Sequence, residues 1–160
     1  MFEDLADLYQ DVILDRGRKP RHALRLEAFD ATAKGDNPLC GDRVQVWVRR
    51  GPDGRIVETG FEARGCAISV ASADLMVEAV SGRTKNDVRA LFGIFQEMAR
   101  TGTAEAGNAA IETLRPLAGV AEYPSRVKCA TLPWHALVAA LDGTAGADGR
   151  MGEKGLANSE

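Results

Sequence analysis

Asp42-Arg43-Val44-Gln45-Val46-Trp47-Val48-Arg49-Arg50-Gly51-Pro52-Asp53-Gly54-Arg55-Ile56-Val57-Glu58-Thr59-Gly60-Phe61-Glu62-Ala63-Arg64 reads as an antiparallel β-hairpin. Val44, Val46 and Val48 alternate with Arg43, Gln45, Trp47 and Arg49, the two-residue period of a half-buried strand. Gly51-Pro52-Asp53-Gly54 supplies the turn. The chain returns over residues 55–64 with Val57, Phe61 and Ala63 on one side and Glu58, Glu62 and Arg64 on the other. A lone hairpin has too little apolar face to stand in water, so the flanking segments must cover it.

Upstream, Phe29, Ala31 and Ala33 alternate with Asp30, Thr32 and Lys34, a weaker strand signal over residues 29–34 that leads into Asn37-Pro38-Leu39-Cys40-Gly41-Asp42. Farther back, Leu5, Leu8, Tyr9, Val12 and Ile13 recur at helical spacing and predict an amphipathic helix over residues 3–16. Asp15-Arg16-Gly17-Arg18-Lys19-Pro20-Arg21-His22 reads as a basic loop. Downstream, Arg64-Gly65-Cys66 ends the hairpin. Ile68, Ala71, Leu75 and Ala79 then mark a helix stopped by Gly82.

Thr84 and Asp87 form a capping-box pattern for the next helix, whose buried stripe is Val88, Leu91, Phe92 and Phe95 and whose end is Gly102. Ile111, Leu114, Leu117 and Ala118 predict a further short helix, against which Pro116 argues. Tyr123-Pro124-Ser125-Arg126 opens a last helix carrying Cys129, Leu132, Leu137, Val138 and Leu141. The expected fold class is α+β, a small antiparallel sheet of about three strands packed against several helices. Residues 1–142 are read as one domain. The Gly/Ala/Asp-rich residues 143–160 carry no apolar stripe and are expected to be a disordered tail.

With 160 residues and 45% hydrophobic content the chain can bury one core. A net charge of −3 gives no overall attraction to nucleic acid or to an anionic membrane. No apolar run approaches a membrane span, and Met1-Phe2-Glu3-Asp4 is acidic where a signal peptide is basic, so the expected location is the cytoplasm. Three cysteines in such a compartment point to metal or sulfur chemistry rather than to a disulfide framework.

Cys40-Gly41-Asp42 puts a thiol and a carboxylate, both accepted Zn²⁺ ligands, two residues apart in a turn-forming loop. Cys66 follows 26 positions later and Cys129 another 63, with no C-x-x-C knuckle, so the spacing alone leaves two readings open. One is three inert core cysteines; the other is a metal site to which loop and element starts converge. The placements favour the second, and Cys66 at a helix N-terminus gains dipolar support for a thiolate. His135, six positions after Cys129, lies about 240° round a helix and is read as a surface or packing residue. Arg21 and His22 in the basic loop, and Arg126 and Lys128 beside Cys129, are candidate contacts for an acidic partner.

Asn37-Pro38-Leu39-Cys40-Gly41-Asp42, then Phe61-Glu62-Ala63-Arg64-Gly65-Cys66-Ala67-Ile68-Ser69 with Ala71-Ser72, then Arg126-Val127-Lys128-Cys129-Ala130 resemble the iron–sulfur scaffold family of IscU and SufU proteins. Leu8-Tyr9-Gln10-Asp11-Val12-Ile13-Leu14-Asp15 and Lys19-Pro20-Arg21-His22 resemble that family's first helix and basic loop. The resemblance implies an α+β fold in which Cys40, Asp42, Cys66 and Cys129 converge as metal ligands. IscU-type members carry a histidine just before the third cysteine and a Leu-Pro-Pro-Val-Lys stretch ahead of it, where this chain has Tyr123-Pro124-Ser125-Arg126-Val127-Lys128. That departure and the long gap between Cys66 and Cys129 resemble the SufU branch. The resemblance then implies bound Zn²⁺ and receipt of persulfide sulfur from a PLP-dependent cysteine desulfurase of the SufS type, with a cluster assembly complex downstream. Cys40, in a loop beside Gly41, is the thiol expected to leave the metal most easily and accept the sulfur. The alternatives are a scaffold on which iron or a [2Fe–2S] cluster is held by the same residues, and a purely structural zinc domain.

Overall fold

The computed structural model describes residues 2–38, 41–104 and 108–143. Its sheet has three antiparallel strands in the order β1 (Ala31–Asn37), β2 (Asp42–Arg50) and β3 (Ile56–Arg64). The helices are α1 (Phe2–Arg18), α2 (Ala67–Val80), α3 (Lys85–Thr101), α4 (Ala109–Leu114) and α5 (Pro124–Asp142), with a 3₁₀ helix, Arg115–Glu122, between the last two. The α+β class expected from the alternating and helical patterns is the observed one.

Ala33, Val44, Val46, Val48 and Phe61 are buried on the core face of the sheet. The long helix α5 crosses β1 and β2, and α2 lies beside both β3 and α5. A Cβ at Gly35 would stand 3.1 Å from Leu132 Cδ1, which is how closely α5 approaches β1. Trp134 anchors the far side of α5, stacked on Phe92 and Phe95 of α3 at centroid distances of 5.7 and 5.2 Å. The capping box is formed as expected, with Thr84 Oγ1 accepting from Asp87 N–H and Asp87 returning to the Thr84 amide, and Gly102 closes α3 with a φ of 84°.

Several local expectations change. β1 starts two residues later than the alternation predicts and runs on through Asn37. Trp47, expected on the solvent side with Arg43 and Arg49, is buried because the segment before β1 covers it: Arg25 sits 5.5 Å over its ring, and Leu24 and Leu26 press on Gly60 across the strand pair. Val57, expected on the buried side of β3, is exposed, and Ile56 is buried instead. The register slips between Arg49 and Arg50, and a one-residue slip turns each side chain to the other face.

The basic loop also begins later than read, since α1 continues through Arg18. Gly17 permits this, because a Cβ there would stand 2.7 Å from the Ala67 Cβ at the start of α2. Pro116 does not prevent helix but changes its kind. The α4 backbone ends at Leu114, and the stretch holding Leu117 and Ala118 is 3₁₀. Of the tail expected over residues 143–160, Gly143 is the C-cap of α5 and residues 144–160 lie outside the described residues, as does Cys40.

Candidate metal centre

Strand pairing brings the first two donors together. Asp42 opens β2, and its neighbour Arg43 pairs with Arg64 at the end of β3, so the chain leaving β3 through Gly65 and Cys66 passes beside Asp42. Gly65 adopts a φ of +147°, and a Cβ there would fall 2.1 Å from Asp42 Oδ1. Only a glycine leaves the carboxylate its place. Cys66 is the N-cap residue of α2, and its backbone N–H donates to Asp42 Oδ1 at 3.1 Å.

The third donor arrives from α5, where Pro124 fits the first turn and Cys129 follows with 1% of its surface exposed. One ligand atom each from Asp42, Cys66 and Cys129 lies within 4.8 Å of the others. Cys66 Sγ stands 3.5 Å from Asp42 Oδ2. Asp42 is 2% exposed, and a buried carboxylate is costly unless hydrogen-bonded. Besides the Cys66 amide it receives the Ser69 hydroxyl, whose Oγ is 2.6 Å from Oδ2. Burial pushes the Cys129 thiol up from its ordinary value, and its hydrogen bonding with Asp42 and the nearness of Cys66 add to this. Arg126 Nη1, 3.9 Å from Cys129 Sγ, pulls the other way.

The donor chemistry fits a thiophilic divalent ion. Tetrahedral zinc with ligands at roughly 2.0–2.3 Å holds its donor atoms about 3.5 Å apart, so the observed cluster needs only a small contraction around an ion. Cys40, the fourth expected ligand, lies outside the described residues. Its neighbour Gly41 is described: its N–H donates to Asn37 O at 2.8 Å and closes the turn in front of β2.

The remaining expected residues are dispersed. Arg126 and Lys128 are exposed on α5 near Cys129. Arg21 is exposed and bound to Asp15 and to the Lys19 carbonyl. His22, expected in the basic loop as a candidate partner contact, is held on α2: its backbone N–H donates to Asp74 Oδ1 at 2.8 Å and its Nε2 lies 3.0 Å from Glu78 Oε2. His135 packs edge-on against Phe92, away from the cluster, as the helical rotation implied.

Two residues at the site were not singled out by the pattern reading. Gly65 had a signal in its position between a strand end and a helix N-cap. Ser69 had one in being a hydroxyl one turn after Cys66 on a helix buried nearly all round.

Residues 8–130 match the family model described as the NifU-like N terminal domain. The chain belongs to this family. Among its relatives, the Streptococcus pyogenes protein named iron–sulfur cluster assembly scaffold protein IscU is 37% identical, over 89% of this chain and 88% of that one. The Bacillus subtilis protein named zinc-dependent sulfurtransferase SufU is 36% identical, over 84% and 89%. Among solved structures, a putative iron–sulfur cluster assembly scaffold protein for the SUF system from Fervidobacterium islandicum superposes with a TM-score of 0.73 at 31% identity, covering 82% of this chain and 94% of that one. This NifU-like chain is thus a member of the iron–sulfur cluster assembly scaffold family, and its IscU/SufU-like fold is that of its structural relatives. Overall identity does not separate the two names, which sit one percentage point apart.

Proposed function

We propose that this chain accepts sulfane sulfur from a PLP-dependent cysteine desulfurase of the SufS type, as a zinc-dependent sulfurtransferase. The observation that carries the reading is the donor set. Two thiols and a buried carboxylate converge without a histidine, and both histidines of the chain are engaged elsewhere, His22 on Glu78 and His135 on Phe92. The residues assigned to the metal are Cys40, Asp42, Cys66 and Cys129. Bound zinc supplies a redox-inert Lewis acid that keeps thiols deprotonated and shielded.

The protein residues then divide the work. Asp42, a harder and more exchangeable donor than a fourth thiolate, lets the ligand set change without loss of the whole site. Cys66 and Cys129 are built into a helix cap and a helix, so moving either strains regular structure. Cys40 neighbours Gly41, which has open space where a Cβ would stand, so a partner's persulfide has room to approach. The Cys40 thiolate attacks the terminal sulfur of the desulfurase persulfide. A new S–S bond forms on Cys40, the partner's S–S bond breaks, and its electron pair leaves with the desulfurase cysteine thiolate, with no net oxidation. Exposed Arg126 and Lys128 are assigned to meeting acidic groups of the partner.

The test is a desulfurase assay with cysteine as substrate, followed by alkylation and peptide mapping. The expected results are faster desulfurase turnover in the presence of the chain and an added sulfur on Cys40. Unchanged turnover sinks the transfer reading, whereas persulfide mainly on Cys66 or Cys129 sinks only the Cys40 assignment. The scaffold reading has its own support in the Streptococcus relative's name. Protein purified without air decides between them: colourless protein with zinc supports transfer, and brown iron-containing protein supports a scaffold.

A further inference from the structure

α2 carries two fully buried serines, and they do different things. Ser72 Oγ donates to the Ala130 carbonyl at 2.5 Å, a plain hydrogen bond joining α2 to α5. Ser69 Oγ has the equivalent bond one turn earlier, to the Cys129 carbonyl at 3.1 Å, but it is also 2.6 Å from Asp42 Oδ2. A hydroxyl has one proton, and the shorter, charge-assisted contact is the one to the carboxylate. Oδ2 is also the oxygen that faces the Cys66 sulfur, while Oδ1 is taken by the Cys66 amide.

We propose that Ser69 is the positioning residue for Asp42, holding Oδ2 aimed at the metal-binding position between Cys66 and Cys129. This rests on the reading of Asp42 as a metal ligand and goes beyond it by naming what orients that ligand. The Cys66 amide fixes Oδ1 and the Ser69 hydroxyl fixes Oδ2. Two donors, from the N-cap and the third residue of one helix turn, fix the plane of the carboxylate. The Cys129 carbonyl gives Ser69 a second acceptor, so loss of the Asp42 contact does not strand a buried O–H.

Metal sites weaken when a hydrogen bond that orients a ligand is removed, by about ten- to a hundredfold in metal affinity. The experiment follows zinc release to an excess of colorimetric chelator from zinc-loaded wild type, S69A, D42A, the S69A/D42A double variant, S69T and S72A. S69A and S72A each remove one buried hydroxyl of α2 and the hydrogen bond it donates, so circular dichroism melts of the metal-free proteins report the shared structural cost. The expected result is release about ten- to a hundredfold faster for S69A, wild-type-like release for S72A and for S69T, which keeps the hydroxyl, and no further acceleration when S69A is added to D42A.

Equal release from S69A and wild type overturns the proposal, as does additive acceleration in the double variant. If S69A fails to fold while S72A folds, a fast-releasing S69T with intact secondary structure overturns it and a slow-releasing S69T upholds it. An unchanged D42A is a separate failure, that of Asp42 as a ligand.

Discussion

Gly65 stands where any side chain would displace the Asp42 carboxylate, with its would-be Cβ 2.5 Å from Asp42 Cγ and 3.0 Å from Asp42 Cα. The contact is with the start of β2, which has little freedom to move. Gly65→Ala therefore carries two penalties, a backbone conformation of about 1–3 kcal/mol for a residue with a Cβ and the loss of the Asp42 position. The expected outcome is a lower urea midpoint together with zinc content below that of wild type after identical loading; a variant that loads zinc normally would show that the carboxylate can be placed another way. The convergence of Asp42, Cys66 and Cys129 was legible through the family resemblance, since the wide cysteine spacing by itself left inert core thiols open, and Cys40 lies outside the described residues. The roles of Gly65 and Ser69 were not, since they exist only once β2 and β3 are in register and α5 is laid on α2. A glycine before a cysteine looks the same whether it turns a chain or makes room for a carboxylate.

At the scale of elements, α1 is fastened to α2 by Arg16, whose Nη1 lies 2.7 Å from Asp74 Oδ2 and 2.6 Å from Glu78 Oε2. Asp74 is fully buried, so Arg16→Ala leaves a carboxylate without its cation and is expected to cost about 3 kcal/mol, far more than loss of the exposed Glu97–Arg100 pair. Denaturant melts of the two variants check this. The pH response has a definite sign. Burial pushes the Glu78 carboxyl up, but hydrogen bonds from Arg16 and His22 outweigh it and hold the group below the ordinary glutamate value of 4.5. A carboxylate depressed in the folded state stabilises above its unfolded value and loses that contribution as pH falls through the folded one. The stability gap between wild type and Arg16→Ala should therefore narrow on acidification below about pH 4.5, and a gap constant across that range would remove Glu78 from the account. These ties were hidden in the sequence. Asp15-Arg16-Gly17-Arg18 looks like a polar loop unless α2 is known to pass beneath it. Trp47 looks solvent-facing unless the segment before β1 is known to cover its face, and Val57 was placed on the wrong face because the register slips between Arg49 and Arg50, while the hairpin itself was read correctly.

For the whole molecule, the candidate centre joins segments that the core also joins, and the balance between the two predicts how the metal-free protein behaves. Asp42 belongs to β2, Cys66 to the junction of β3 with α2, and Cys129 to α5, so an ion there crosslinks the sheet and both central helices. Yet Val46, Phe61, Met76, Phe95, Leu114, Trp134 and Leu137 are fully buried in one continuous cluster that needs no ion. Small zinc domains without such a core unfold when stripped; this chain should not. Binding to the folded state alone adds about 4 kcal/mol when free zinc exceeds Kd a thousandfold, which for a chain of this size is a rise in Tm of roughly 8–16 °C. The expected outcome of chelation is therefore a cooperative melt at least about 8 °C lower, with native far-ultraviolet circular dichroism retained at room temperature. Superimposable melts of loaded and stripped protein, with occupancy confirmed by metal analysis, would mean that the three donors hold no ion that matters to the fold. A stripped chain already unfolded at room temperature would mean instead that the buried cluster is too weak to stand without the metal, and that Asp42, Cys66 and Cys129 form a folding site before they form a reactive one.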